Sequence, residues 1–274
     1  MKRIDLHIHT TASDGSLSPT ETALRAAEAG LCAIAVTDHD TTAGVAEALE
    51  AGARCGVEVV PGVELSVDYR DEGIHILGYF IDPLNPVLRE LLDWVVTERD
   101  ARNETIAAAM RADGIPVTVE ALRARHPGAV IGRPHFAEAL AEHGTAKSVR
   151  DAFDRFLDTG LKYYRERTYI PMDRAFEAIR AAGGKAVFAH PFQYEYSEPE
   201  LVALTRLLVD HGLAGVECIY SRYTPEQVRY LKDLAGFYGL CVTGGSDFHG
   251  AGKPDIALGG VPVPYELLEG LRAR

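Results

Sequence analysis

The sequence predicts a parallel α/β protein with a helical insertion, and three observations carry that prediction. Short β-type runs alternate with Ala- and Glu-rich helical stretches along most of the chain. The alternation lapses once, from about Asn85 to about Thr168, where helical patterning continues without a convincing strand. His, Asp and Glu recur just past the ends of the apolar runs, the place where barrels of βα units assemble their chemistry.

Seven runs read as strands: Ile4–Ile8, Ala33–Thr37, Val57–Val63, Ile74–Phe80, Lys185–Ala189, Gly215–Ile219 and Leu240–Gly244. Between the first two, SPTETALRAAEAG spells a helix. Ser18 is its N-cap, Pro19 its first residue, Glu21 completes a capping box and Gly30 closes it. The same grammar recurs in PMDRAFEAIRAAGG, SEPELVALTRLLVDHG and TPEQVRYLKDLAGFYG. Inside the insertion, VLRELLDWVVTERDARNETIAAAMRADG and RPHFAEALAEHG read as helices. Residues 85–168 are therefore expected to form a cap over one end of a barrel built from 1–84 and 169–274.

The length of 274 residues suits one large barrel or two ordinary domains, and 47% apolar content supplies a large core, which excludes disorder and disulfide scaffolds. A net charge of −12 repels phosphate backbones, so an extended nucleic-acid surface is not expected, and an anionic substrate needs locally bound cations. No run approaches the roughly 20 apolar residues of a membrane span, and MKRIDLHIHT lacks a signal-peptide core, so the expected location is cytoplasmic. Cys32 and Cys241 each begin a strand-like run and are expected as buried thiols.

The placement of the histidines is not scattered. Asp5, His7 and His9 alternate along the first strand and so share a face, where three polar groups are costly unless satisfied; metal coordination satisfies them. Thr37-Asp38-His39-Asp40 follows the second run, Pro61-Gly62-Val63-Glu64 closes the third, Ala189-His190-Pro191 ends the fifth, and Gly245-Ser246-Asp247-Phe248-His249 follows the seventh. His75 is the exception: it opens its strand, which requires a bend or a different boundary. Asp40 reads as a cap of the next helix through Thr41-Thr42, and Gly244-Gly245 as a point of close backbone approach. Neutral imidazoles mixed with carboxylates suit Zn, Mn or Fe rather than Ca. The candidates outnumber the roughly four to six ligands that one ion uses, so two or three ions sharing a bridging carboxylate are expected, the arrangement of hydrolytic phosphoryl transfer.

These motifs, from Ile4 to about Gly259 and in the same order, resemble those of the PHP (polymerase and histidinol phosphatase) superfamily. The segment Ile131-Gly132-Arg133-Pro134-His135-Phe136 is similar to that of its small stand-alone phosphoesterases. The resemblance implies a distorted (β/α)7 TIM-like barrel with the helical cap between strands 4 and 5. It implies that His7, His9, Glu64 and Asp247 hold one ion. Glu64 would bridge to a second ion on His75 and His190, and Asp14, His39 and His249 would hold a third. Asp14 stands where such enzymes often carry His. Mn is the first expectation for the ions, with Fe or Zn as alternatives.

The implied activity is hydrolysis, by metal-bound hydroxide, of a small phosphorylated ribose compound. Precedents are the 5′-phosphate of a nucleoside 3′,5′-bisphosphate, the 5′ end of short RNA, or a phosphoribosyl 1,2-cyclic phosphate cleaved in two steps. His135 is the candidate general acid, Arg133 a phosphate holder, and Asp38 a supporting group behind the ligands. Lys162, Arg165 and Arg167, interleaved with Tyr163 and Tyr164, form a cationic aromatic segment suited to a second phosphate, or else a solvated hinge. Trp94 reads as core, and His126, His143 and His211 as helix-end residues. Two rivals stay open: a metal-dependent amidohydrolase on a similar barrel, whose metal-bridging lysine would have to be Lys185, and a metal or nucleotide sensor without catalysis.

Overall fold

A computed structural model describes residues 2–70 and 72–274. In chain order its elements are β1 (Arg3–Ile8), α1 (Pro19–Glu28), β2 (Leu31–Val36), α2 (Val45–Cys55), β3 (Glu58–Tyr69), β4 (Glu72–Tyr79), α3 (Pro86–Ala112), α4 (Val119–Arg125), α5 (Arg133–Glu142), α6 (Val149–Ala152), α7 (Met172–Ala181), β5 (Lys185–Phe188), α8 (Glu198–Asp210), β6 (Gly215–Tyr220), α9 (Pro225–Phe237), β7 (Cys241–Gly245), β8 (Val263–Pro264) and α10 (Glu266–Ala273). The strands form one sheet in the order β7-β6-β5-β4-β3-β2-β1-β8, curled into a nearly closed barrel. All seven expected strands are present; β8 is a short addition, antiparallel to β1.

The helix starts obey the sequence grammar. Ser18 with Glu21, Ser197 with Glu200 and Thr224 with Gln227 each form a complete capping box followed by proline at the first turn. On one flank, Ala23 and Ala26 of α1 and Ala48 and Ala51 of α2 pack on Ile8, Ile34, Val36 and Val59, small residues that let helix and sheet approach closely.

Among the seven expected strands, one departs from the parallel pattern. β4 runs antiparallel to both β3 and β5, as the return arm of a hairpin with β3. A hairpin arm presents its start where its parallel neighbours present their ends. His75 lies in the first half of β4, pairs with Ser66 and thereby stands at the same end of the barrel as Glu64 and His190. No bend is needed.

The barrel closes between β1 and β7 at that same end. The Asp247 N–H donates to the His7 carbonyl (2.9 Å) and the His9 N–H to the Phe248 carbonyl (2.9 Å). Gly245 makes this closure possible, since a Cβ there would stand 2.4 Å from His7 N and Cβ.

The insertion occupies α3 to α6 and has its own core, in which Ile106, Met110, Leu122, Phe136, Leu140, Leu157 and Tyr163 meet. The first half of α3 belongs elsewhere: Leu88, Leu91, Leu92 and Val95 pack in the barrel's core, with Trp94 beside them. The apolar residues of α3 thus divide between two clusters, Leu88 to Val95 with the barrel and Ile106 to Met110 with the insertion. Cys32 and Cys241, expected as buried, are half-buried; Cys218 is the buried thiol. Among the described residues no helix is long and apolar enough to cross a membrane.

Candidate metal centre

The carboxyl ends of the parallel strands with the loops that follow them, the middle of β3 and the first half of β4 bring together His7, His9, Asp14, His39, Glu64, His75, His190, Asp247 and His249. They form four overlapping groups whose ligand atoms lie within 4.8 Å of one another. Glu64 is the hub. Its Oε1 is 2.9 Å from His190 Nε2, 3.0 Å from His75 Nδ1 and 3.3 Å from His7 Nε2; its Oε2 is 2.9 Å from His39 Nδ1 and 3.3 Å from His9 Nε2. Asp247 Oδ1 lies 3.3 Å from His9 Nε2, and Asp14 Oδ1 3.5 Å from His249 Nε2. The backbone is bent to serve this cluster: His190 and Asp247 both occupy left-handed conformations (φ 31° and 59°), which non-glycine residues adopt at a cost of about 1–3 kcal/mol.

The donor set fits divalent ions. His7 Nε2, both ring nitrogens of His9, His39 Nδ1 and Glu64 Oε2 are buried and have no hydrogen-bond partner among the described residues. Orphaned buried polar atoms are expensive, and here they converge on shared space. Burial would push the carboxyls of Glu64 and Asp247 up. For Glu64 the surrounding His75, His39 and His7 pull it well below the usual carboxylate range, and for Asp247 Lys253 and His7 do so. His75 and His249 are driven by burial down to about 4 and about 3, so at neutral pH both offer lone pairs. His9 is the reverse case: burial lowers it, yet contacts with Asp247 and Glu64 raise it to about 9. The concentrated carboxylate charge demands a cation there, a proton or a metal ion.

Groups behind the ligands fix their orientation. Glu217, fully buried at the centre of β6, stands 3.0 Å from His7 Nδ1 and accepts the His190 backbone N–H (2.9 Å), leaving His7 Nε2 to face the cluster. Tyr220 and Lys253 both donate to Asp247 Oδ2 (2.7 Å each). Asp38 accepts from Thr10 N, Thr10 Oγ1 and Ser13 Oγ at 2.6–2.8 Å and so braces the loop that carries Asp14. Asp5 shares no metal group: its carboxylate accepts from Ser246 N and Oγ and Gly259 N, tying β1 to the β7 loop. Asp40 does not cap α2, whose N-cap is Gly44. It accepts instead from Ser66 N (3.0 Å), Arg99 and Arg167 (2.5 Å). Burial would raise its carboxyl, but the two guanidiniums hold it well below the usual range.

Over the cluster lies a cavity of about 190 Å³, floored by Asp14, His39 and His75 and walled by Arg99, Arg102, Arg133, His135, Phe153 and Arg167. His135 is buried and its Nδ1 accepts the Gly132 N–H (3.0 Å), which caps α5 and places the proton of the neutral ring on Nε2. Arg133 and Arg167 thus reach the site. Lys162 and Arg165 do not line the cavity: Lys162 pairs with Asp113 (2.7 Å) on the outside of the cap, and Arg165 donates to the carbonyls of Lys162 and Tyr164. Sequence reasoning missed Arg99 and Arg102, three apart on α3 where charged residues read as a solvated face. It also missed Glu217, whose charge amid the apolar run GVECIY was the available signal.

Comparison with known proteins agrees with this geometry. A family model, the PHP domain, matches residues 5–115. The 5′-3′ exoribonuclease Rnm of Escherichia coli K12 is 36% identical over 247 residues, covering 89% of this chain and 84% of that protein. A 3′,5′-nucleoside bisphosphate phosphatase of Chromobacterium violaceum is 35% identical, covering 92% and 89%. A phosphoribosyl 1,2-cyclic phosphate 1,2-diphosphodiesterase of Eggerthella lenta is 34% identical, covering 90% and 94%. Among solved structures, one from Bifidobacterium adolescentis named for metal-dependent phosphoesterase activity superposes with a TM-score of 0.90 at 30% identity, covering 99% and 96%. One from Chromobacterium violaceum, named an amidohydrolase and holding sulfate, superposes with a TM-score of 0.89 at 33% identity, covering 99% and 96%.

Proposed function

This chain belongs to the PHP domain family and is a metal-dependent phosphoesterase, and on that premise we propose that it acts on a nucleotide, either removing the 5′-phosphate of a nucleoside 3′,5′-bisphosphate or trimming short RNA from its 5′ end. The observation that carries the reading is the roof of the cavity. Four guanidiniums, Arg99, Arg102, Arg133 and Arg167, wall the cavity over the ligand cluster, and Asp40 pairs with two of them, Arg99 and Arg167. That surplus of planar donors suits a dianionic phosphate ester and has no use in binding a neutral amide or lactone. Lys185, the one candidate for the bridging lysine of an amidohydrolase, pairs with Tyr79 at the opposite end of the barrel, and Glu64 stands where a bridge is needed.

The residues divide the work. His7, His9, Glu64 and Asp247, with His75 and His190 sharing Glu64 and with Asp14, His39 and His249 beyond His9, are the groups to hold two or three divalent ions, Mn first among them. Such ions supply activated water and neutralise charge developing on the phosphoryl oxygens. Arg133 and Arg167 orient the phosphate, and His135 Nε2–H donates to the leaving ribose oxygen. The inner cavity is smaller than the roughly 300–1,000 Å³ of ordinary ligand pockets, so the phosphate and ribose enter it and the rest of the substrate stays outside. A wider cleft of about 830 Å³ shares Phe153 with it and runs past Arg150, Arg222 and Lys253, providing room for a base and the adjoining nucleotide. That cleft favours a nucleotide over a bare sugar phosphate.

The test is turnover by Mn-loaded protein, followed as release of phosphate, mononucleotide or ring-opened monoester, of 3′,5′-adenosine bisphosphate, 5′-phosphorylated trinucleotide RNA, ribose 1,2-cyclic phosphate 5-phosphate and histidinol phosphate. Preference for either of the first two is expected. Preference for the cyclic sugar would overturn the nucleotide reading. Silence on all four, with turnover of an amide, would restore the amidohydrolase.

A further inference from the structure

Asp40 occupies an unusual position between the two bodies of the molecule. Its carboxylate is fully buried on the barrel side, its backbone is left-handed (φ 52°), and Ser66 N and Oγ hold it at 3.0 and 3.3 Å. From the cap it receives one guanidinium from each limb: Arg99 from α3, which enters the cap, and Arg167 from the segment that returns to β5. Both guanidiniums also wall the cavity over the ligand cluster. Each keeps a buried Nε–H without a hydrogen-bond partner among the described residues, as does Arg102 beside them. Four like charges crowded into so small a space repel one another and would splay toward solvent without a counter-charge.

We propose that Asp40 is a positioning residue that latches both limbs of the cap to the barrel and holds Arg99 and Arg167 over the metal centre, and that this latch sets the enzyme's affinity for the phosphate of its substrate. One carboxylate anchors two guanidiniums by a single nitrogen each and leaves their remaining donors pointing at an anion that has yet to arrive. Arg99 and Arg167 are pre-oriented, so phosphate binding does not have to order two long side chains at the cost of their rotamer freedom. The inference rests on reading the cavity as a phosphoester site.

Asp40→Asn tests it. Asn tolerates the left-handed backbone and keeps an oxygen for Ser66 N, so the substitution removes charge with little strain. Binding of inorganic phosphate to the Mn-loaded protein, measured by calorimetry, is expected to weaken about 10-fold or more. For the preferred substrate of the panel, KM is expected to rise by a larger factor than kcat falls, and bound metal to stay at the wild-type content. Adding Arg167→Gln to Asp40→Asn is expected to weaken phosphate little further, because the two share one interaction, whereas Arg133→Gln should add its full effect. Unchanged phosphate affinity in Asp40→Asn, full additivity with Arg167→Gln, or loss of bound metal would each overturn the latch. If Asp40→Asn does not fold, Arg99→Lys and Arg167→Lys carry the test: each keeps its charge but loses the fork, and wild-type phosphate affinity in both would overturn it. A protein that binds phosphate as expected yet turns over no nucleotide would count against the proposed substrate and leave the latch standing.

Discussion

Glu217 is fully buried on β6, with one oxygen 3.0 Å from His7 Nδ1 and the other accepting the backbone N–H of His190. It touches none of the space where ions would sit, yet it fixes the ring orientation of one candidate ligand and the left-handed backbone of another. Glu217→Gln is isosteric but offers an amide where a carboxylate polarised the imidazole. Mn affinity, followed by competition with a chromophoric chelator, should fall about 10- to 100-fold. Unchanged affinity would reduce Glu217 to packing. Seven of the nine cluster residues (His7, His9, His39, Glu64, His190, Asp247 and His249) were legible in the sequence because short motifs placed them at strand ends, where the fold class alone brings them together. Asp14 came from the family resemblance, and His75 stood as an exception. Glu217 was not legible, since a single acid inside an apolar strand names no partner until its neighbour 210 positions away is in place. Lys162 and Arg165 mark the converse limit: a cationic aromatic run is read from composition, but whether it faces inward depends on how the cap returns to the barrel, and only Arg167 does so.

The barrel's elements explain why the site sits where it does. β1 and β7 close onto each other at the ligand end, and Gly245 is the residue that lets them. Gly245→Ala would set a methyl carbon against His7 N and Cβ, which no rotamer change relieves. The strands must separate, moving Asp247 relative to His7 and His9. Overpacking of this kind costs about 1–3 kcal/mol, or roughly 2–5 °C in Tm for a chain of this size, and Mn affinity should fall with it. Gly236, helical in α9 with nothing within 4 Å of an added Cβ, is the control: Gly236→Ala should leave Mn affinity unchanged and hold or raise Tm. Equal effects of the two substitutions would detach the closure from the metal centre. The glycine pair was readable as a close approach, and seven strands were readable as strands. The direction of β4 was not, because periodicity reports which face a residue takes and is silent on which way a strand runs. His75 was the visible symptom, a ligand at the wrong end of its strand until the strand is reversed.

At the scale of the whole molecule, charge is partitioned. The chain carries −12 overall while four guanidiniums wall the cavity, two of them paired with Asp40. An acidic exterior around a cationic pocket admits an anion at one point and repels a polyanion elsewhere. The wider cleft keeps to that rule, since Arg150 pairs with Asp154, Arg222 with Asp255 and Lys253 with Asp247, leaving no free cationic track among the described residues. Salt should therefore weaken kcat/KM as for one or two phosphate contacts, a log–log slope of about −0.7 to −1.4. The slope should be the same for 3′,5′-adenosine bisphosphate and for 5′-phosphorylated RNA of three or ten nucleotides. Each further phosphate held along an extended surface would steepen it by about 0.7. A slope that grows with RNA length would mean that a basic path forms on the exterior once substrate is bound. A constant slope would mean that the enzyme reads the 5′ end alone, and that the remainder of the chain trails through the cleft past Phe153 without being gripped.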